Sequence, residues 1–133
     1  NLSLFAEMKI LLYGTMAYWG LPIFDPDVLC AKDLLTMATM GGAQALQHED
    51  ILGTVEEGKK ADFITIDIMQ PHLTPTHNLL NTLVDCASKH DVVDSVIDGK
   101  LVMKDRKVLT MDEEEVIREC EKRMKEIAGR AGI

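Results

Sequence analysis

Histidine and cysteine are the residue types of this sequence best suited to bind a metal ion or to attack a substrate. The histidines are His48, His72, His77 and His90, and the cysteines are Cys30, Cys86 and Cys120. His72 and His77 lie five residues apart in a proline-containing stretch, and the sequence holds neither an HExxH motif nor a CxxC pair. We therefore predict no metal ligand among these residues.

Nucleophilic and phosphate-binding patterns are equally weak. Cys86 precedes His90 by four residues, so a helix would place both on one face. A small cysteine-dependent enzyme is therefore one alternative. Gly53 and Gly58-Lys59 have the spacing of a P-loop, but Lys60 stands where Ser or Thr should bind magnesium. We predict no catalytic and no cofactor-binding residue in this chain.

Composition narrows the class of protein. The chain has 133 residues, 47% of them apolar and 27% charged, and a formal net charge of −8. This length fits one domain, and the acidity argues against a nucleic-acid module, which needs a basic face. No apolar run approaches the ~18 residues of a membrane span. Three distant cysteines predict free thiols, and therefore a cytoplasmic protein.

Two helices are predicted in the first part of the chain. Apolar residues spaced by three and four predict an amphipathic helix over Leu2–Tyr13, capped by Asn1 or Ser3. Gly14 weakens this pattern, and Gly20, Pro22 and Pro26 predict a loop up to about Val28. A second helix is predicted over Asp33–Met40, and the pair Gly41-Gly42 predicts a kink or a close backbone contact before a short helical turn at 43–46.

The rest of the chain predicts strands followed by a helix. A strand is predicted at Ala61–Asp67, and residues 79–88 fit one or two helical turns. Asp98-Gly99 separates the apolar runs 92–97 and 100–104, which is typical of a two-residue type I′ hairpin. The tail is a predicted helix with a capping box from Thr110 to Glu113, an apolar stripe and a stop at Gly129. The stripe consists of Val116, Ile117, Cys120, Met124 and Ile127.

Five segments, in order, are similar to those of a known family. Gly53–Asp67 resembles the G-x-L/I-x-x-G-K-x-A-D signature near the C-terminus of metal-dependent amidohydrolases. Met37–Leu46 resembles their MAT-x-x-G-A-x-A-L helix pair. Pro71–Pro75 and Val92–Lys100 are similar to the branch with 5-methylthioadenosine/S-adenosylhomocysteine deaminases and triazine chlorohydrolases. Asn1–Lys9 resembles the stretch after the family's last metal-binding Asp.

The resemblance implies an α+β piece of a larger fold. Residues 1–50 would be the last helices of a (β/α)8 barrel, 51–109 the C-terminal strands of a small β-sandwich, and 110–133 a C-terminal amphipathic helix. In such enzymes a divalent metal, zinc or iron, activates the water that attacks the substrate ring. The family's metal and proton-transfer residues would all precede residue 1, so the chain alone is expected to be inactive and to bind no metal.

The resemblance also implies a function for the longer protein. We expect it to deaminate adenosine-type nucleosides through a metal-activated water. The expected partners are the missing N-terminal part of the same protein and, through exposed sheet edges and helix faces, a second copy of the chain. No nucleic acid or membrane is expected as a partner. The alternative is a stand-alone binding or assembly module without catalysis.

Overall fold

The computed structural model describes residues 2–19 and 29–132. In chain order the helices and strands are α1 (Leu4–Trp19), α2 (Ala31–Thr36), a π-helical turn (Met37–Gly41), α3 (Gly42–Ala45), β1 (Phe63–Ile66), a 3-10 turn (Pro71–Leu73), α4 (Leu79–Asp85), a second 3-10 turn (Lys89–Asp91), β2 (Val92–Ile97), β3 (Lys100–Lys104), β4 (Lys107–Val108) and α5 (Glu113–Ala131). The α+β class predicted from the sequence is confirmed. Among the described residues, no helix is both long and apolar enough to cross a lipid bilayer.

Helix α1 is longer than the sequence predicted. Ser3 begins it, because its carbonyl oxygen accepts hydrogen bonds from the next turn and its Oγ lies 3.4 Å from the Ala6 amide. The helix passes through Gly14 and continues to Trp19, so the predicted end at Tyr13 is wrong. The alternative cap, Asn1, and the predicted loop, Gly20–Val28, lie outside the described residues.

The apolar core lies between α1, α2 and α4. Met8 and Leu12 of α1 pack with Leu34 of α2 and Val84 of α4, and the last two are fully buried. Lys9 fastens the arrangement, since its Nζ donates to the carbonyl oxygen of Ala87 at 2.8 Å. Burial on this scale stabilises each side chain by about 1.5–3 kcal/mol.

The second helical segment is continuous from α2 to α3. The pair Gly41-Gly42 does not break it, and the irregularity is the π-helical turn that ends at Gly41. The close backbone contact lies at Gly53 instead. There the backbone has φ of +94°, and an added Cβ would lie 3.0 Å from both the Met40 Cα and the Ala43 Cβ. Only glycine fits this junction between the helices and the sheet without strain.

The four strands form an antiparallel meander in the order β1-β2-β3-β4. The predicted hairpin is confirmed, because Asp98 and Gly99 both have positive φ, as a type I′ turn requires. A similar turn at Asp105 and Arg106 leads into β4. Strand β1 pairs only with β2, so among the described residues its other edge has no strand neighbour.

The C-terminal helix begins and ends later than predicted. Its N-cap is Asp112, whose Oδ1 accepts a hydrogen bond from the Glu115 amide at 3.0 Å, so the predicted capping box at Thr110 is wrong. The helix passes Gly129 and ends at Gly132, which adopts the left-handed conformation. The carboxylate of Asp112 can form this cap because its backbone, unlike that of Glu113, is extended.

Candidate functional site

The main cluster of polar side chains joins the two 3-10 turns, Pro71–Leu73 and Lys89–Asp91, to the sheet. Asp91 is buried directly before β2, and its Oδ2 accepts hydrogen bonds from the Ser88 amide at 2.8 Å and the Ser88 hydroxyl at 3.0 Å. The Nε2 of His72 lies 3.1 Å from Oδ2 and 3.0 Å from Oδ1 of the same carboxylate. The 3-10 turn that holds His72 is thereby tied to the last residue of the next 3-10 turn.

A second carboxylate extends the cluster toward the β3–β4 turn. Asp67 follows β1, and its amide donates to the carbonyl oxygen of Asp91 at 2.9 Å. Its carboxylate accepts hydrogen bonds from Gln70 at 2.5 Å and from Arg106 at 3.4 Å. Arg106 also donates through Nε to the carbonyl oxygen of His90 at 3.1 Å. These contacts join three separate chain segments at one end of the sheet.

The electrostatics of the cluster suit a structural role. We call the cluster a structural lock, because its charged carboxylates hold the turns against the sheet. Burial pushes the pKa of the Asp91 carboxyl up, but the hydrogen bonds from His72 and Ser88 outweigh it and hold the pKa below its usual range. The hydrogen bonds from Gln70 and from the Met69 amide, with a smaller contribution from Arg106, lower the pKa of Asp67 as well. A carboxylate with a lowered pKa and occupied acceptors is a poor proton acceptor near neutral pH. The geometry therefore supports positioning rather than acid–base catalysis.

The other histidines and the cysteines are not brought together. Cys86 caps the end of α4, whereas His90 lies in the following 3-10 turn, so the shared helix face considered for a cysteine-dependent enzyme does not form. His48 and His77 are exposed. Across the described ranges, no group of three His, Cys, Asp or Glu side chains is arranged to hold a metal ion.

An apolar cleft of about 710 Å³ lies between the α2–α3 segment and the β1–β2 pair. Its lining includes Ala38, Leu46, Phe63 and Ile97. Thr54 contributes the one buried side-chain oxygen that has no hydrogen-bond partner among the described residues. An apolar surface of this kind is typical of a contact with another polypeptide segment.

The Asp91 cluster was missed by the sequence reasoning. A local signal for part of it existed, because Ser88 followed three residues later by Asp91 has the form of a capping box, and the structure forms that box. The contact with His72 spans 19 residues. No local pattern predicts it.

Comparison with known proteins shows which family this chain resembles. A model of the Amidohydrolase family matches residues 1–102. The 5-methylthioadenosine/S-adenosylhomocysteine deaminase of Desulforudis audaxviator is 49% identical over 98 residues, which are 74% of this chain and 23% of that relative. The 5′-deoxyadenosine deaminase of Methanosarcina mazei is 40% identical over 130 residues, 98% of this chain and 29% of that relative. The chain thus spans about a quarter of the length of these relatives.

Solved structures agree with this assignment. An adenosine deaminase from Xanthomonas campestris with bound zinc superposes with a TM-score of 0.86 and 30% identity, over 94% of this chain and 28% of that one. The atrazine chlorohydrolase of Arthrobacter aurescens TC1, complexed with zinc, shares the fold with a TM-score of 0.77 and 22% identity, over 86% of this chain and 25% of that one. Since the family model covers most of the sequence, the chain belongs to the amidohydrolase family.

Proposed function

We propose that this chain is the C-terminal part of a hydrolase that removes the exocyclic amine from an adenosine-type nucleoside, such as 5′-methylthioadenosine, S-adenosylhomocysteine or 5′-deoxyadenosine. The observation that carries the proposal is the 49% identity over 98 residues to a 5-methylthioadenosine/S-adenosylhomocysteine deaminase. The reaction breaks the C–N bond at the purine ring, with water supplying the new oxygen and ammonia leaving.

The apolar surface of α1 supports a longer protein. Met8 and Leu12 are buried in the core, yet Leu4, Ile10 and Leu11 on other sides of the same helix are exposed. A helix that is apolar all round is usually covered on all sides. We propose that residues 1–50 are the last helices of a (β/α)8 barrel, whose remaining strands and helices cover these side chains.

The sheet supports the same arrangement. Phe63 and Ile64 of β1 are exposed at 42% and 47%, and they line the apolar cleft beside the unpaired edge of the sheet. Exposed apolar edge strands tend to pair with another segment. We propose that residues 51–109 form part of a β-sandwich that is completed by strands from the N-terminal part of the longer protein. The helical tail, 110–133, follows as the third unit.

The divalent metal of the family, zinc or iron, does not fit the described residues of this chain. The nearest approach to a ligand set is His72 with Asp91, and that carboxylate already accepts hydrogen bonds from Ser88. A catalytic zinc site takes about three protein ligands and an open position. The proposal therefore assigns the metal to residues outside this chain, and gives this chain the task of closing the fold around them.

A deamination assay tests the proposal. The protein made from the complete reading frame and this chain alone are each incubated with the three nucleosides, and ammonia release is followed with zinc or iron present. We expect the complete protein to release ammonia from at least one nucleoside and this chain to release none. Activity of this chain alone, or a complete protein inactive on all three, would overturn the proposal. A native protein no longer than this chain would favour the assembly module.

A further inference from the structure

We draw no further inference here: the strongest candidate, the apolar cleft between the α2–α3 segment and the β1–β2 pair, carries none, because nothing in the structure shows what covers it.

Discussion

The substitution Asp91→Asn probes the polar cluster that holds the turns against the sheet. Asparagine keeps the size of the side chain and one acceptor oxygen, but it removes the charge and places an NH₂ group against a donor. Asp91 accepts two hydrogen bonds from Ser88, at 2.8 and 3.0 Å, and one contact from His72. A hydrogen bond to a charged group contributes about 1.5–3 kcal/mol, so losing one or two of them should lower the free energy of unfolding by about 2–4 kcal/mol.

The pH dependence of this loss has a fixed sign. The pKa of Asp91 is lower in the folded chain than its usual value, so its contribution is present above the unfolded pKa of about 3.9 and disappears as the pH falls through the folded pKa. Urea unfolding followed by circular dichroism measures it. The difference between the wild-type chain and the variant should be constant from about pH 7 to pH 5 and shrink below about pH 4.

His72→Gln is the matched control for this experiment. The His72 side chain is half exposed, and Asp91 keeps both hydrogen bonds from Ser88 without it, so we expect a loss of about 1 kcal/mol or less. An Asp91→Asn variant within about 0.5 kcal/mol of the wild-type chain would refute the structural lock, because surface substitutions produce changes of that size. So would a difference that persists undiminished to pH 3.

Three further substitutions test the fold. Gly53→Ala should cost about 2–4 kcal/mol in urea unfolding, because it adds a steric clash to a strained backbone, whereas Gly58→Ala, at a similar φ with open space around it, should cost about 1–2 kcal/mol; equal losses would contradict the close approach. Asp112→Ala should destabilise α5 by about 1 kcal/mol in thermal melts, and Thr110→Ala should not, if Asp112 is the cap. Leu34→Ala removes a fully buried side chain and should cost about 2.5–4 kcal/mol, and a loss below 1 kcal/mol would show that the α1–α2–α4 core is wrong.

Local sequence patterns correctly predicted those secondary-structure elements whose conformation depends on neighbouring residues. The hairpin was predicted because Asp98-Gly99 supplies both positive φ angles, and the strand at Phe63–Ile66 lies within the predicted run. Helix ends were less accurate. Gly14 lowers helix propensity, but it lies in a helix whose other residues pack on the core, and packing outweighs a cost of about 1 kcal/mol.

Other features of the fold and the site could not be predicted from local sequence patterns. The sequence predicted Thr110 as the cap of α5, whereas the structure uses Asp112, whose extended backbone lets its Oδ1 accept from the Glu115 amide. The His72–Asp91 contact joins two turns that the sheet brings together, so the sequence around either residue does not predict the contact. The expectation that this chain binds no metal came from the absence of ligand spacing, and it stays a prediction together with the proposed location of the metal site on the longer protein.

The length of the native polypeptide tests the central claim most directly. The match of 130 residues is 29% of the Methanosarcina mazei relative, which puts that protein at about 450 residues. At 14.8 kDa for 133 residues, a polypeptide of that length has a mass of about 50 kDa. Intact-mass spectrometry of the protein captured from its source with an antibody against α5 should find a species near that mass whose peptides include this sequence. A single species of 14.8 kDa would contradict the account.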